Sequence, residues 1–229
     1  MAVTLRLLFY NVHRALYYAN SKHISSNSNV KETNKDVTKD WKVELHNTMK
    51  ILPDFISEKE EDILVKEVDP YMTQLRYEFS HWDDAIHGYR ETEWKKSRWS
   101  KDSSQILDKV HKEAFPSEVK RLVLVHILDL APEGWIKPHV DSVRFCGGII
   151  AGLSLLSDSV MRLAMVGHEK ECTECFLLPR RSLYIMTGAA RYNYNHEILK
   201  SDESYFKEQH VPKGRRISVI CRSEPDPQT

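Results

Sequence analysis

From Lys120 onwards the sequence breaks into short β-rich runs, and no other feature narrows the fold so far. Leu122–Leu130, Gly147–Leu156, Val160–Val166, Cys175–Leu178, Ser182–Met186 and Arg216–Cys221 are separated by turn residues. Two helical stretches precede them. Ser57 with Glu60 forms a capping box, and Ile63, Leu64 and Val68 continue it as an apolar stripe ending near Pro70. A second helix is expected over Lys101–Phe115, with Ile106, Leu107, Val110 and Ala114 on its buried side. Helices first and strands afterwards predict an α+β chain, mainly β. The architecture expected is a jelly roll, or double-stranded β-helix, with the N-terminal helices packed on one face. Its 229 residues suffice for one such domain and a short appendage, and 41% hydrophobic residues can fill its core. There is no internal repeat.

The appendage is the N-terminus. Residues 1–31 hold Arg6, Arg14, Lys22 and Lys31 and no acid. The whole chain balances 33 basic against 33 acidic residues, so the remainder carries a net −4. On a helical wheel Leu5, Leu8, Phe9, Val12 and Leu16 share a face, away from Arg6, His13 and Arg14. A cationic, acid-free amphipathic start followed by the Ser-rich stretch 20–29 reads as a mitochondrial presequence. An N-terminal helix docked on the domain is the alternative. Residues 32–40 read as a polar linker, and the domain as 41–225. The neutral total excludes a polybasic nucleic-acid coat. No run approaches the ~18 apolar residues of a membrane-spanning helix, so no membrane partner is expected. Four cysteines are too few for a disulfide scaffold.

His139-Val-Asp141 with His196 is the candidate metal site. Residues two apart on a strand share a face, so His139 and Asp141 can point inward together. Two imidazoles and a carboxylate form the facial triad of non-haem iron(II), which leaves positions open. A lone His-x-Asp is weak evidence, and the chain holds a rival, His81-Trp82-Asp83, whose distant partner would be His126. His126 lies mid-run and reads as a core histidine. What favours His139 is Arg216-Ile-Ser218-Val-Ile-Cys-Arg222 downstream. Alternation places Arg216, Ser218, Ile220 and Arg222 on one strand face. Two inward arginines need anions. A guanidinium with a hydroxyl two residues on suits a dicarboxylate; pairing of Arg216 and Arg222 with internal acids is the alternative.

His-x-Asp, a distal His and Arg-x5-Arg resemble the AlkB family of iron(II)- and 2-oxoglutarate-dependent dioxygenases, and its mitochondrial branch above all. The resemblance covers most of residues 50–223. It runs through residues 81–93 (HWDDAIHGYRETE), 97–100 (SRWS), 136–141 (IKPHVD), 145–147 (FCG), 150–157 (IAGLSLLS), 159–163, 190–192 (ARY), 196–199 (HEIL) and 214–223. It implies that His139, Asp141 and His196 hold iron(II). Arg216, with Ser218, would clamp the distal carboxylate of 2-oxoglutarate; Tyr184 would help hold it and Arg222 would share the cavity. It further implies O2 as co-substrate, decarboxylation of 2-oxoglutarate to succinate coupled to C–H oxidation, a mitochondrial matrix location, and roles in fatty acid metabolism and alkylation-induced programmed necrosis.

The departures from the family bear on the substrate. Nucleic-acid-repairing members carry Asn-x-Tyr where this chain has Leu128-Asp129-Leu130, which makes the cavity more apolar. Their basic, aromatic lid corresponds to Leu75–Asp102, where six basic residues face six acidic ones. Stacking residues (Trp82, Tyr89, Trp94, Trp99) are present without an electrostatic funnel, and can equally pack helices on the sheet. A protein substrate is therefore expected and duplex DNA is not. RNA demethylation, or a regulatory binding protein with iron and 2-oxoglutarate as structural ligands, are the alternatives. Trp82, His87, Leu128 and Leu130 are the candidate substrate contacts. Cys172-Thr-Glu-Cys175 lacks a second pair and reads as a solvated hairpin tip with two incidental thiols.

Overall fold

A computed structural model describes residues 40–79 and 85–225. The presequence, nearly all of the linker, and the rival motif with Trp82 lie outside the described residues. The chain enters through helix α1 (Trp41–Thr48) and strand β1 (Met49–Leu52). Helix α2 (Glu58–Met72) starts on Ser57, whose hydroxyl accepts from the Glu60 amide while the Glu60 carboxylate accepts from the Ser57 amide. It ends two residues past Pro70. Pro70 stands in the last turn, and Thr73 N–H closes the helix on the Asp69 carbonyl. Helix α3 (Lys101–Ala114) buries Ile106, Leu107, Val110 and Ala114 as expected.

Between those helices, within the stretch that corresponds to the relatives' lid, lies strand β2 (Ile86–Lys95). Its Trp94 and the following Trp99 are buried against α2 and α3, so they pack helices on the sheet. The strands that follow are β3 (Leu124–His139), β4 (Ile150–Leu155), β5 (Ser159–Met165), β6 (Thr173–Leu178) and β7 (Ser182–Met186). After the short helix α4 (Gly188–Tyr192) come β8 (Tyr194–Ile198), the hairpin β9 (Tyr205–Phe206) with β10 (Gln209–His210), and β11 (Arg216–Arg222). No helix among the described residues is long and apolar enough to cross a membrane.

Nine strands form one antiparallel sheet in the order β1-β7-β4-β11-β3-β8-β5-β6, with β2 on the other edge of β3. The long β3 makes the roll. Its first half pairs with β11 (Ile127↔Val219) and its end with β8 (His139↔His196), so one strand joins the two layers, or sheets, into which the nine strands roll. Sequence reasoning ended this strand at Leu130. Opposite Gly88 the strand instead takes up extra residues and continues. Gly88 has φ +64° there, and a Cβ on Gly134 would collide with its carbonyl oxygen.

Alternation then sorts the side chains. Val125, Ile127, Ala151, Leu153, Leu183, Ile185, Ile217 and Val219 face outward under α2 and α3. Leu128, Leu130, Ile136, Ile150, Tyr184, Met186 and Ile220 face into the roll with Met161, Leu163 and Phe176 of the opposite sheet. Apolar side chains worth ~1.5–3 kcal/mol each when fully buried stand on both faces of the sheet. Cys172 departs from expectation: it is fully buried at the β5–β6 turn, and its amide donates to the His168 carbonyl. Cys175 is half-buried on β6.

Candidate metal and co-substrate site

Simple alternation from Leu128 and Leu130 would turn His139 outward. A one-residue register shift between Ile136 and His139 corrects this, since Ile136 pairs with Ile198 but His139 with His196. The bulge brings both imidazoles to the inner face, with ring centroids 4.2 Å apart. Asp141 follows just beyond the strand end. Its Oδ1 lies 3.3 Å from His139 Nε2 and 3.9 Å from His196 Nε2. The three ligating atoms lie within 4.8 Å of one another. His139 Nδ1 stands 2.8 Å from the Lys137 carbonyl, which can only accept, so Nδ1 carries the proton and Nε2 is left to ligate.

Electrostatics suit the cluster to a cation. Burial would raise the Asp141 carboxyl, but the Arg222 guanidinium and both imidazoles hold it well below the usual carboxylate range. Burial and the neighbouring His139 push His196 down to about 3, so its lone pair is available at neutral pH. Burial also pulls on His139, yet the Asp141 hydrogen bond and charge raise it above the usual imidazole value. Arg222 Nε donates to Asp141 Oδ2 at 3.0 Å, and its Nη1 lies 3.2 Å from His126 Nδ1. His126 Nε2 lies 2.9 Å from Glu91 Oε2. His126, 15% exposed, links the β2 carboxylate to the arginine behind Asp141.

Cross-strand register aligns the inner face of the larger sheet into rows. Ser182, Ser154, Ser218 and Leu128 form one row; Tyr184, Gly152, Ile220 and His126 form the next. Arg216 stands opposite Leu130 and is 3% exposed. Its Nε donates to Ser154 Oγ at 2.9 Å, and the Tyr184 phenol sits against it. Among the described residues no carboxylate pairs with Arg216. Its Nη2, Ser218 Oγ and Ser182 Oγ are buried with no hydrogen-bond partner. Burial lowers the Arg216 guanidinium from its ordinary value. The internal-acid alternative thus describes Arg222, through Asp141, and not Arg216. Three orphaned donors around one buried cation fit an oxoanion such as a carboxylate. Gly152 makes room for Tyr184, because any Cβ there would overlap the phenol ring.

The structure brings His139, Asp141, His196, Tyr184, Arg216, Ser218 and Arg222 onto this inner face. Leu128 and Leu130 lie there too, opposite Ser218 and Arg216. It does not bring His87 there. His87 pairs with Trp135 and stacks between Trp135 and Phe79, at centroid distances of 5.9 and 5.5 Å. Sequence reasoning missed Ser154 and Ser182. The serines carried a signal: in Gly152-Leu-Ser154 and Ser182-Leu-Tyr184 the small or polar positions recur with period two in otherwise apolar runs.

Residues 70–222 match the 2OG-Fe(II) oxygenase superfamily. Over 174 residues the chain is 55% identical to the alpha-ketoglutarate-dependent dioxygenase alkB homolog 7, mitochondrial, of Mus musculus, covering 76% of this chain and 77% of the relative. The Bos taurus protein of the same description is 54% identical over 176 residues, covering 77% and 78%. Among solved structures, OsALKBH1 superposes with a TM-score of 0.53 at 13% identity, covering 76% of this chain and 96% of that one. A Pseudomonas putida prolyl-4-hydroxylase gives 0.53 at 10% identity, covering 78% and 93%. At these identities the solved structures speak for the shared fold alone.

Proposed function

The chain belongs to the 2OG-Fe(II) oxygenase superfamily, and from that premise we propose a mitochondrial protein hydroxylase whose His139, Asp141 and His196 hold the iron. The family makes it an iron(II)- and 2-oxoglutarate-dependent dioxygenase. Iron at the triad, with 2-oxoglutarate and O2, supplies the oxidation: the keto acid leaves as succinate and CO2, and one oxygen atom enters a C–H bond.

The residues of this chain bind and orient. Arg216 with the Ser218, Ser154 and Ser182 hydroxyls would take the distal carboxylate of 2-oxoglutarate, with the Tyr184 phenol beside the guanidinium. Arg222 occupies the second oxygen of Asp141 and leaves the first to face the imidazoles. The observation that carries this reading is Arg216: a buried cation whose free Nη2 and orphaned serine neighbours await an anion.

A protein substrate is favoured by what borders the cavity. The register places Tyr89, Glu91 and Glu93 of β2 on the inner side, opposite Leu130, Leu128 and His126. Carboxylates there repel a phosphate backbone. The resemblance carries roles in fatty acid metabolism and in programmed necrosis after alkylation damage into the same proposal.

Incubating the protein with mitochondrial extract, 2-oxoglutarate and isotopically labelled O2 tests it. Succinate together with label in a peptide is the expected result. Label released as formaldehyde from a methylated nucleoside would make it an RNA demethylase, and 2-oxoglutarate bound but never consumed would leave a regulatory binder. The matrix location rests on residues 1–31, which should carry a reporter into mitochondria and fail to do so once Arg6 and Arg14 are replaced by Glu; import that ignores the change refutes the presequence.

A further inference from the structure

Arg191 is 2% exposed, and its guanidinium faces no carboxylate among the described residues. It lies on α4, five residues before His196. The Tyr192 ring lies 5.0 Å from the guanidinium, and the guanidinium's hydrogen bonds go to the segment that carries Asp141. Nε donates to the Gly147 carbonyl at 3.0 Å, Nη1 to the Asp141 carbonyl at 2.8 Å and Nη2 to the Cys146 carbonyl at 3.1 Å and its Sγ at 3.2 Å. A buried cation is retained only where dipoles or charges replace its water, and here three main-chain carbonyls do so.

Those carbonyls belong to backbone outside the strand ladder, and Arg222 reaches only the Asp141 carboxylate, not its main chain. His139 is held by the ladder, in register with His196. Asp141 lies beyond the last ladder residue, before a turn whose main-chain bonds include Phe145 and Cys146 N–H to the Ser142 carbonyl and Gly147 N–H to the Ser223 carbonyl. The Asp141 carbonyl itself is held by Arg191. Helix α4 is fixed in turn to the end of α1, through Ala190 N–H to Thr48 Oγ1 and Thr187 N–H to the Thr48 carbonyl.

We propose that Arg191 is a positioning residue of the metal centre: it ties the Asp141 main chain to the element that leads into His196, so that the three ligands converge before metal arrives. This rests on the triad being the metal site.

Cobalt(II) titration of the full-length chain, followed by its visible d–d absorption, tests the idea. Arg191→Gln removes most of the fork, and its cobalt(II) midpoint should rise by roughly 10- to 100-fold, the usual effect of losing a partner behind the ligands. The bands should shift, because Asp141 sits differently against the imidazoles. Arg191→Lys retains the charge and part of the bonding and should fall between. Melting of the metal-free variants is measured in parallel. A lowered melting temperature with wild-type midpoint and bands would mean a merely structural arginine and would overturn the proposal. If Arg191→Gln does not fold, Arg191→Lys decides on the same two readings. His139→Ala separates the premise: cobalt(II) bound normally by that variant refutes the triad and the Arg191 proposal together, whereas an unaltered Arg191 variant beside a dead His139→Ala refutes Arg191 alone.

Discussion

Replacing Arg216 by methionine removes the charge while keeping most of the volume, and the two roles open to a buried arginine then give opposite results. Without 2-oxoglutarate, wild-type Arg216 is a desolvated cation supported by Ser154 and Tyr184 and, among the described residues, by no acid. An apolar replacement should leave the melting temperature of the ligand-free protein unchanged or raise it. With 2-oxoglutarate the order reverses. A hydrogen bond to a charged group contributes about 1.5–3 kcal/mol and a buried ion pair broken on one side costs about 3–5. At about 1.4 kcal/mol per tenfold, the dissociation constant should rise roughly ten- to thousandfold. A ligand at a hundred times its Kd adds about 2.7 kcal/mol, or roughly 5–10 °C for a domain of this size. A variant a hundredfold weaker gains about 0.4 kcal/mol at the same concentration, on the order of 1 °C. The assay is melting temperature against 2-oxoglutarate concentration, with a non-oxidising divalent metal in the site. A variant that melts far below wild type without 2-oxoglutarate, yet gains as much from it, would refute the clamp.

Gly152→Ala drives a methyl into the Tyr184 ring. It should cost about 1–3 kcal/mol by overpacking and weaken 2-oxoglutarate while sparing metal; calorimetric binding that matches wild type would show that Tyr184 has no part in the pocket. Asp129 is fully buried and accepts from Arg90 of β2, from Tyr77 in the segment after α2 and from Arg215 just before β11, which also pairs with Asp69 near the end of α2. Asp129→Asn leaves two cations underpaired and should lower stability by about 3–5 kcal/mol; urea denaturation within 1 kcal/mol of wild type would contradict this.

Local signals carried far in this chain. The capping box at Ser57 and the stripes of α2 and α3 are short-range physics and came out in place. So did β7, and β11 to within one residue, whose apolar runs end at turn residues. Strand β2 was illegible because its sequence, Ile86-His-Gly-Tyr-Arg-Glu-Thr-Glu-Trp-Lys95, alternates charges with aromatics and gains its order only from pairing with β3. The extension of β3 past Leu130 was hidden by Pro132 and Gly134, which read as a turn and serve instead in a bulge.

At the site, the period of two that placed Arg216, Ser218 and Arg222 on one face was enough. It was not enough for His139, whose inward aim depends on the register shift after Ile136. Arg191 and His126 act through contacts with residues far away in sequence, and nothing in the flanking residues marks such partners.

Iron content per chain is the most direct test of the metal centre. Equilibrium dialysis against iron(II) under anaerobic conditions should give one iron per wild-type chain, none in His139→Ala or His196→Ala, and full occupancy in His81→Ala. Iron kept by the first two variants, or lost with His81, would place the metal elsewhere and contradict the account.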